Sequence, residues 1–305
     1  MISVSTGWRA TVIHDGGRLL DVMRASGAKA LELGYHVRQS TFEQMSSLIK
    51  REGMEITSVH NFFPAPDDIA DGEENGELYL FTSDDPDERK LAIKYTVRAM
   101  EIAHDLGAKA VVLHLGHIPM VDPTLKLKEY YDRGEMDGDK ATRLIEGALE
   151  ERSLLAPLYL DNVLFCLEDL NKLAERLEIY MGIENRYHLS EVPNSEDFRV
   201  IFSEFPIDSR VRYWHDVGHA RVNTNLRFDD GDALLEAHAG RMAGIHLHDV
   251  KDGHKDHQVP GTGEVDWEAV KSHLTPETIK VLELAPGSPY NEVPDGLAFL
   301  ESIGL

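Results

Sequence analysis

Acidic and imidazole side chains close a series of short apolar runs in this sequence, and both groups can bind metals or transfer protons. The residues that close these runs are Glu32, His60, His114, Glu184, Asp216, His246 and Glu283. When such groups are buried together, they require pairing or a bound cation. A mixed set of oxygen and nitrogen ligands suits Mn, Mg, Co or Zn. We therefore predict that one divalent metal is held by the residues that close the last four runs (the metal tetrad): Glu184, Asp216, His246 and Glu283.

The apolar runs alternate with segments of helical periodicity, a pattern that predicts parallel βαβ units. Eight runs are rich in β-forming residues, and they begin at Ile2, Ala30, Ile56, Ala110, Tyr180, Val211, Met242 and Ile279. Eight such units close into a (β/α)8 or TIM barrel, whereas a doubly wound sheet usually has five or six strands. Because chemistry in such barrels lies at the C-terminal ends of the strands, the residues that close the runs should meet there. We predict one α/β barrel domain over residues 1–305.

Two segments are longer than a minimal barrel requires. Residues 64–85 form a polar loop after the third run, and residues 117–179 form a helical insertion after the fourth. The insertion should contain at least two helices, with cores at residues 141–160 and 161–177. Since both segments follow the C-terminal end of a strand, both are expected to overhang the mouth of the barrel.

The overall charge and the cysteine content restrict the partners and the compartment. The chain has 31 Lys and Arg residues against 54 Asp and Glu residues, a net charge of −23, which repels polyanions and makes nucleic acid an unlikely partner. The N-terminus lacks the pattern of a signal peptide, and no apolar run is long enough to span a bilayer. The single cysteine, Cys166, fits a reducing compartment. These features predict a cytoplasmic protein without a membrane partner, and they leave a homo-oligomer open.

Several residues beside the run ends have both a functional and a structural interpretation. His60 and His114 are candidates for additional metal or substrate contacts, or for core histidines bonded to backbone carbonyls. Glu32 is either a further ligand or a rim carboxylate paired with Arg9. His248 is out of phase with His246 and should face the helical layer or the rim. The remaining candidates for substrate binding follow metal-site residues closely or are aromatic. The first group is Arg186, Tyr187 and Arg221, which otherwise are rim residues, and the second is Trp8 and Phe62, which otherwise pack in the core.

Five segments in a fixed order carry a family resemblance. They are GIENR (182–186), WHDVGHA (214–220), GIHLHDV (244–250), QVPGTGEVDW (258–267) and VLELAPG (281–287). With these segments the sequence resembles the xylose-isomerase-like TIM-barrel superfamily of sugar isomerases and epimerases, which also contains the AP endonuclease family 2 enzymes of the endonuclease IV type. The resemblance extends over nearly the whole chain and is weakest in residues 117–179.

The resemblance implies that the metal tetrad coordinates one divalent metal and that the substrate is a small carbohydrate. It also implies catalytic roles for Glu184 and Glu283, which exchange the substrate's protons through an enediolate, and for His219, which contacts a substrate oxygen. Some epimerases carry an arginine shortly after the histidine of the seventh strand. This sequence offers Lys251, Lys255 or His257 in its place. The predicted activity is therefore a metal-dependent isomerase or epimerase of a sugar, a sugar phosphate or a related polyol or keto acid.

Three alternatives remain open on the same scaffold. A dehydratase or lyase would use the same metal and the same proton abstraction. An endonuclease-IV-like phosphodiester hydrolase would need a multinuclear zinc site, for which His60, His114, His219 and His257 could supply imidazoles. However, that branch carries an aspartate where Lys255 stands. A barrel that only binds a ligand is the third alternative.

Overall fold

The computed structural model describes residues 1–70 and 72–305 and contains a closed barrel of eight parallel strands, as predicted. The barrel strands are β1 (Ile2–Ser5), β2 (Ala30–Leu33), β3 (Glu55–His60), β4 (Ala110–Leu113), β5 (Tyr180–Glu184), β6 (Val211–Asp216), β7 (Met242–Leu247) and β10 (Ile279–Leu282). Each strand pairs with its neighbour in the chain, and the pairing of β1 with β10 closes the barrel. Two further strands, β8 (Asp249–Lys251) and β9 (Lys255–Gln258), form an antiparallel hairpin directly after β7.

Helices surround the barrel. They are α1 (Gly7–Ala10), α2 (Gly16–Ala25), α3 (Gln39–Glu52), α4 (Pro86–Leu106), α5 (Thr124–Asp132), α6 (Asp139–Leu177), α7 (Ser195–Glu204), α8 (Val217–Leu226), α9 (Gly231–His238), α10 (Trp267–Ser272) and α11 (Glu292–Ser302), with a 3-10 turn at Ala239–Arg241. Local sequence signals set several ends: Asp85 caps the start of α4, and Gly107 ends it in the left-handed conformation. Among the described residues, no helix combines the length and the apolarity that crossing a membrane requires.

The helical insertion differs from its prediction in one respect. The two predicted cores, 141–160 and 161–177, belong to one continuous helix of 39 residues, α6, which contains Pro157. The helix continues because its buried stripe keeps helical spacing across the expected break, at Ala156, Leu160, Val163, Leu167 and Leu170. Its first turns, together with α5, pack against α8 and β8 in a second apolar cluster. The insertion therefore covers the side of the barrel on which β8 and the second half of α8 lie.

A tryptophan fills the barrel interior beneath the tetrad. Trp214 on β6 is fully buried, and its ring centroid is 5.2 Å from that of His246. Two glycines on neighbouring strands make room for the ring: a Cβ atom at Gly244 would lie 2.2 Å from Trp214, and one at Gly182 would lie 2.7 Å from it. The barrel core thus depends on the absence of side chains at these two positions.

The side chain of Asp249 accepts several hydrogen bonds from the segment that follows the hairpin. Asp249 accepts hydrogen bonds from the backbone N–H groups of Gly261 (2.9 Å) and Val265 (3.1 Å) and from Nε1 of Trp267 (3.2 Å). These bonds connect the hairpin to the PGTG loop and to the start of α10. They hold the hairpin against the mouth of the barrel, where its second strand carries Asp256 and His257.

Candidate metal centre

The structure brings the four residues of the metal tetrad together, as the sequence predicted. One ligand-type atom from each residue lies within 4.8 Å of those from the others. Nδ1 of His246 is 3.0 Å from Oε1 of Glu184, 3.2 Å from Oε2 of Glu283 and 3.6 Å from Oδ2 of Asp216. Three of the residues are fully buried, while the side chain of Glu283 is 15% exposed. Three carboxylates around one imidazole nitrogen form a donor set that fits a divalent cation.

Glu32 contacts the histidine of this centre on the ring nitrogen that faces away from the other carboxylates. Its Oε1 atom is 3.2 Å from Nε2 of His246, and its Oε2 atom accepts a hydrogen bond from Ser58 Oγ at 2.7 Å. Because an ionised carboxylate only accepts, both ring nitrogens of His246 donate here, Nε2 to Glu32 and Nδ1 to Glu184. A cation held by the tetrad would take the place of the Nδ1 proton, while Glu32 would keep the proton on Nε2. The alternative of a rim carboxylate paired with Arg9 was wrong, since Glu32 is completely buried and Arg9 bonds to the carbonyl of Ser288.

Three histidines beside the tetrad have one ring nitrogen fixed by the backbone. Their Nδ1 atoms face backbone carbonyls, from His60 to Asn61 (3.2 Å), from His219 to Asn185 (3.0 Å) and from His257 to Glu283 (3.4 Å). Since a carbonyl only accepts, each Nδ1 is the donor. Nε2 of His60 faces Oε2 of Glu184 at 3.3 Å, whereas a neutral ring of His219 or His257 leaves its Nε2 lone pair free. Such nitrogens can accept a hydroxyl hydrogen or bind a cation.

A cavity of about 230 Å³ opens above these groups. Its described lining residues are Tyr35, His60, His114, Glu184, Arg186, Tyr187, His219, Asp256, His257 and Glu283. Two of them, Tyr35 and Asp256, are not among the residues that the sequence pattern indicates, whereas Tyr187 is. Tyr35 comes shortly after the polar residue that closes a strand, as Tyr187 does, and this is the one signal that could have identified it. Asp256 reaches the cavity because the hairpin folds back on itself.

The structure does not bring four of the predicted substrate-binding residues to this cavity. Trp8 is buried and donates from Nε1 to the carbonyl of Ser288 at 3.1 Å. Phe62 packs against Phe81 and Tyr79, because the chain has already left β3 at this point. Arg221 lies on α8 and Lys251 on the hairpin, both outside the described lining. The aromatic rings that do line the cavity belong to tyrosines.

His248 also differs from its prediction. It is fully buried, and its Nε2 atom lies 2.9 Å from Oδ2 of Asp216. The expectation that it faces the helical layer assumed an uninterrupted strand. However, β7 ends at Leu247, so His248 lies in the turn before the hairpin, where strand alternation no longer sets the direction of a side chain.

A family model described as "Xylose isomerase-like TIM barrel" matches residues 20–303. The chain belongs to this family. Solved structures that resemble this xylose isomerase-like TIM barrel include a D-tagatose 3-epimerase-like protein, with 18% identity, a TM-score of 0.66, and coverage of 99% of this chain and 96% of that one. A second is 3-keto-D-glucoside 4-epimerase from E. coli, with 15% identity, a TM-score of 0.65, and coverage of 99% and 98%.

A third solved structure, L-ribulose 3-epimerase, has 13% identity and a TM-score of 0.66, and the match covers 100% of this chain and 94% of that one. At these identities the likeness shows a shared fold. A search of the curated proteins finds no match to the sequence.

Electrostatics in this xylose isomerase-like barrel keep two tetrad carboxylates, Glu184 and Asp216, ionised. Burial alone would raise the pKa of Glu184, but the rings of His114 and His246 outweigh it and hold that pKa well below the usual range. Burial would also raise the pKa of Asp216, but His219 and His248 outweigh it and hold that pKa well below the usual range. For the two imidazoles His114 and His219, burial dominates and lowers the pKa to about 3 and about 4. These rings are therefore neutral at physiological pH. Nε2 of His219 is available as an acceptor or ligand, whereas Nε2 of His114 already faces Nη1 of Arg186 at 2.8 Å.

Proposed function

We propose that this chain is a divalent-metal-dependent epimerase or isomerase that acts on a free, uncharged sugar of about monosaccharide size. The observation that carries the proposal is the convergence of three carboxylates on Nδ1 of one histidine, at the floor of a cavity lined by imidazoles. The structural relatives are named as a D-tagatose 3-epimerase-like protein, 3-keto-D-glucoside 4-epimerase and L-ribulose 3-epimerase, and these names support a sugar substrate.

The metal tetrad would hold the divalent ion, and one buried atom supports this fit. Oε2 of Glu184 is buried and, within residues 1–70 and 72–305, has no hydrogen-bond partner in good geometry, although Nε2 of His114 lies 2.6 Å away. A buried carboxylate oxygen without an aligned donor costs free energy that a cation would recover. When bound, the metal supplies Lewis acidity that polarises the sugar carbonyl and acidifies the neighbouring C–H group.

Glu184 and Glu283 are the proposed proton-exchanging residues. Both are carboxylates at the floor of the cavity, on strands that lie on different sides of His246. One would remove the proton from the carbon beside the carbonyl, and the other would return a proton to the substrate. His219 and His257 also line the cavity, where an unprotonated Nε2 atom can accept a hydrogen bond from a sugar hydroxyl and orient the sugar.

The charges around the cavity favour an uncharged substrate. Among the described lining residues, Arg186 is the one arginine or lysine side chain, and its Nη2 atom already lies 2.9 Å from Oε1 of Glu191. Its Nη1 atom is 3.5 Å from Glu184, which further compensates its charge. A phosphate or carboxylate would meet Glu283 and Asp256 without a free cation to bind it. The cavity volume of about 230 Å³ also lies below that of drug-sized pockets.

A substrate panel tests this assignment. Protein reconstituted with Mn²⁺ or Co²⁺ is incubated in D₂O with free ketoses and aldoses, with their phosphates and with sugar acids, and deuterium incorporation is followed by NMR. We expect exchange on a free sugar with a kcat/KM at least about tenfold above that of its charged counterpart, a difference of about 1.4 kcal/mol in transition-state stabilisation. Preference for a phosphate or an acid would contradict the uncharged substrate, while a dehydrated product would identify the lyase alternative.

A second candidate function is phosphodiester hydrolysis at a multinuclear centre. Three more groups of possible ligands among the described residues favour it: His60 with Glu184 and His246, His219 with Asp256 and His257, and His248 with His257 and Glu283. Against it, Nη1 of Arg186 lies 2.8 Å from Nε2 of His114 and so places a fixed positive charge where a further cation would need that imidazole. Cleavage of abasic-site DNA by protein containing two or three zinc ions would favour this second function.

A further inference from the structure

His248 is a buried polar side chain that the proposed proton transfer does not use. Both of its ring nitrogens have assigned partners. The backbone N–H of His257 donates to Nδ1 at 2.8 Å, so Nδ1 carries no proton. Nε2 lies 2.9 Å from Oδ2 of Asp216 and donates to that carboxylate. The backbone of the hairpin thus selects the one tautomer that can donate to Asp216.

Asp216, which accepts this bond, is also held through its other carboxylate oxygen and through its backbone. Oδ1 of Asp216 accepts the backbone N–H of His219 at 2.7 Å, as the cap of α8. The backbone N–H and carbonyl of Asp216 are paired with the side-chain amide of Asn185, at 2.8 Å and 2.9 Å. The bond from His248 fixes the remaining oxygen, which points toward His246 at 3.6 Å.

We propose that His248 is a positioning residue that orients Asp216 for the divalent metal, with its tautomer set by the backbone N–H of His257. The inference rests on the proposed function, because Asp216 is a ligand only if the tetrad binds a metal. Ligand carboxylates that accept such outer hydrogen bonds bind metals more tightly, since their geometry is fixed before the metal arrives. Because the ring of His257 lines the cavity, this contact also connects the substrate side of the hairpin to the metal centre.

The neighbours of the His248 ring leave it little room to move. The ring of His248 stacks on that of His257, with centroids 4.1 Å apart and an interplanar angle of 24°. On its other side lies Gly218, where a Cβ atom would be 2.1 Å from the ring of His248. A side chain at position 218 would therefore displace the ring from Asp216.

Three variants test the proposal by the affinity of the full-length chain for Mn²⁺ alone, measured by competition with a chromophoric chelator. His248→Asn keeps an amide near the N–H of His257 but is too short to reach Asp216, and we expect a Kd about 10- to 100-fold higher. His248→Gln carries an amide donor out to the position of Nε2, and it should restore the Kd to within about threefold of the wild type. Gly218→Ala keeps the imidazole of His248 but should displace it from Asp216, and it should therefore weaken Mn²⁺ binding as His248→Asn does.

Thermal melting of the metal-free proteins separates this effect from a loss of folding. The glutamine and asparagine variants should have the same melting temperature. Equal Mn²⁺ affinities for the asparagine and glutamine variants, whether both are weak or both unchanged, would overturn the positioning role while leaving the proposed function intact. A wild-type protein that binds no Mn²⁺ would overturn both this inference and the metal dependence of the proposed function.

Discussion

Replacement of Glu283 by glutamine should lower the rate of deuterium exchange into the sugar by about 10³-fold, within the range of about 10²- to 10⁴-fold for loss of a general acid or base. Glutamine has nearly the same shape but cannot accept or release a proton at physiological pH. Glu283 is the member of the metal tetrad with measurable exposure, 15% of its side chain, so its carboxylate can meet a substrate in the cavity. The measurement is single-turnover exchange in D₂O with saturating Mn²⁺.

The matched control is Glu301→Gln, which makes the same chemical change on the exposed end of α11. It should leave the exchange rate unchanged. The Mn²⁺ content of Glu283→Gln must be measured in parallel, because the same residue belongs to the metal tetrad. A variant that binds Mn²⁺ and still exchanges protons within tenfold of the wild type would remove Glu283 from the mechanism.

Gly244→Ala should be among the most destabilising single-methyl changes in the chain, at about 3 kcal/mol of unfolding free energy, the upper part of the usual cost of overpacking. The added Cβ atom would lie 2.2 Å from Cζ3 and 2.4 Å from Cη2 of Trp214. The tryptophan ring cannot give way, because it is fully buried among small and β-branched side chains of the barrel interior: Ala110, Val112, Ala243 and Val281. Urea unfolding followed by circular dichroism measures the effect.

Gly147→Ala provides the control for this change. Gly147 lies on the exposed face of α6, and a Cβ atom there would have nothing within 4 Å. Alanine should therefore leave the stability unchanged or raise it by about 0.5–1 kcal/mol, the usual preference for alanine over glycine in a helix. If the two variants unfold at the same urea concentration, the ring of Trp214 does not constrain the barrel interior as described.

The barrel and the metal tetrad could be predicted from the sequence because both depend on periodic signals. Each β-rich run is followed by a helical segment, and the rule that barrel chemistry lies at the C-terminal ends of strands places their closing residues on one face. The structure confirms the barrel and places Glu184, Asp216, His246 and Glu283 within 4.8 Å of one another. What these residues bind remains a prediction.

Two of the residues that the sequence misplaced, His248 and Phe62, lie where the chain leaves a regular element. His248 is in the turn after β7, and Phe62 follows the end of β3, so strand alternation did not determine where either side chain points. Asp256 reaches the cavity through a hairpin whose fold depends on Asp249 and the PGTG loop, which are long-range contacts that no local pattern reports. Glu32 closes its run as predicted, but its bond to His246 joins residues 214 positions apart in the chain.

The central claim is that the metal tetrad holds a divalent cation, and the metal content of the purified chain tests it most directly. Protein purified without chelator or added metal, and a second sample after reconstitution, would be measured by inductively coupled plasma mass spectrometry beside Asp216→Ala. We predict about one equivalent of Mn, Co, Mg or Zn per chain, the ions that suit a mixed carboxylate and imidazole set, and its loss in the variant. No bound metal in the wild type, even after reconstitution, would contradict the claim.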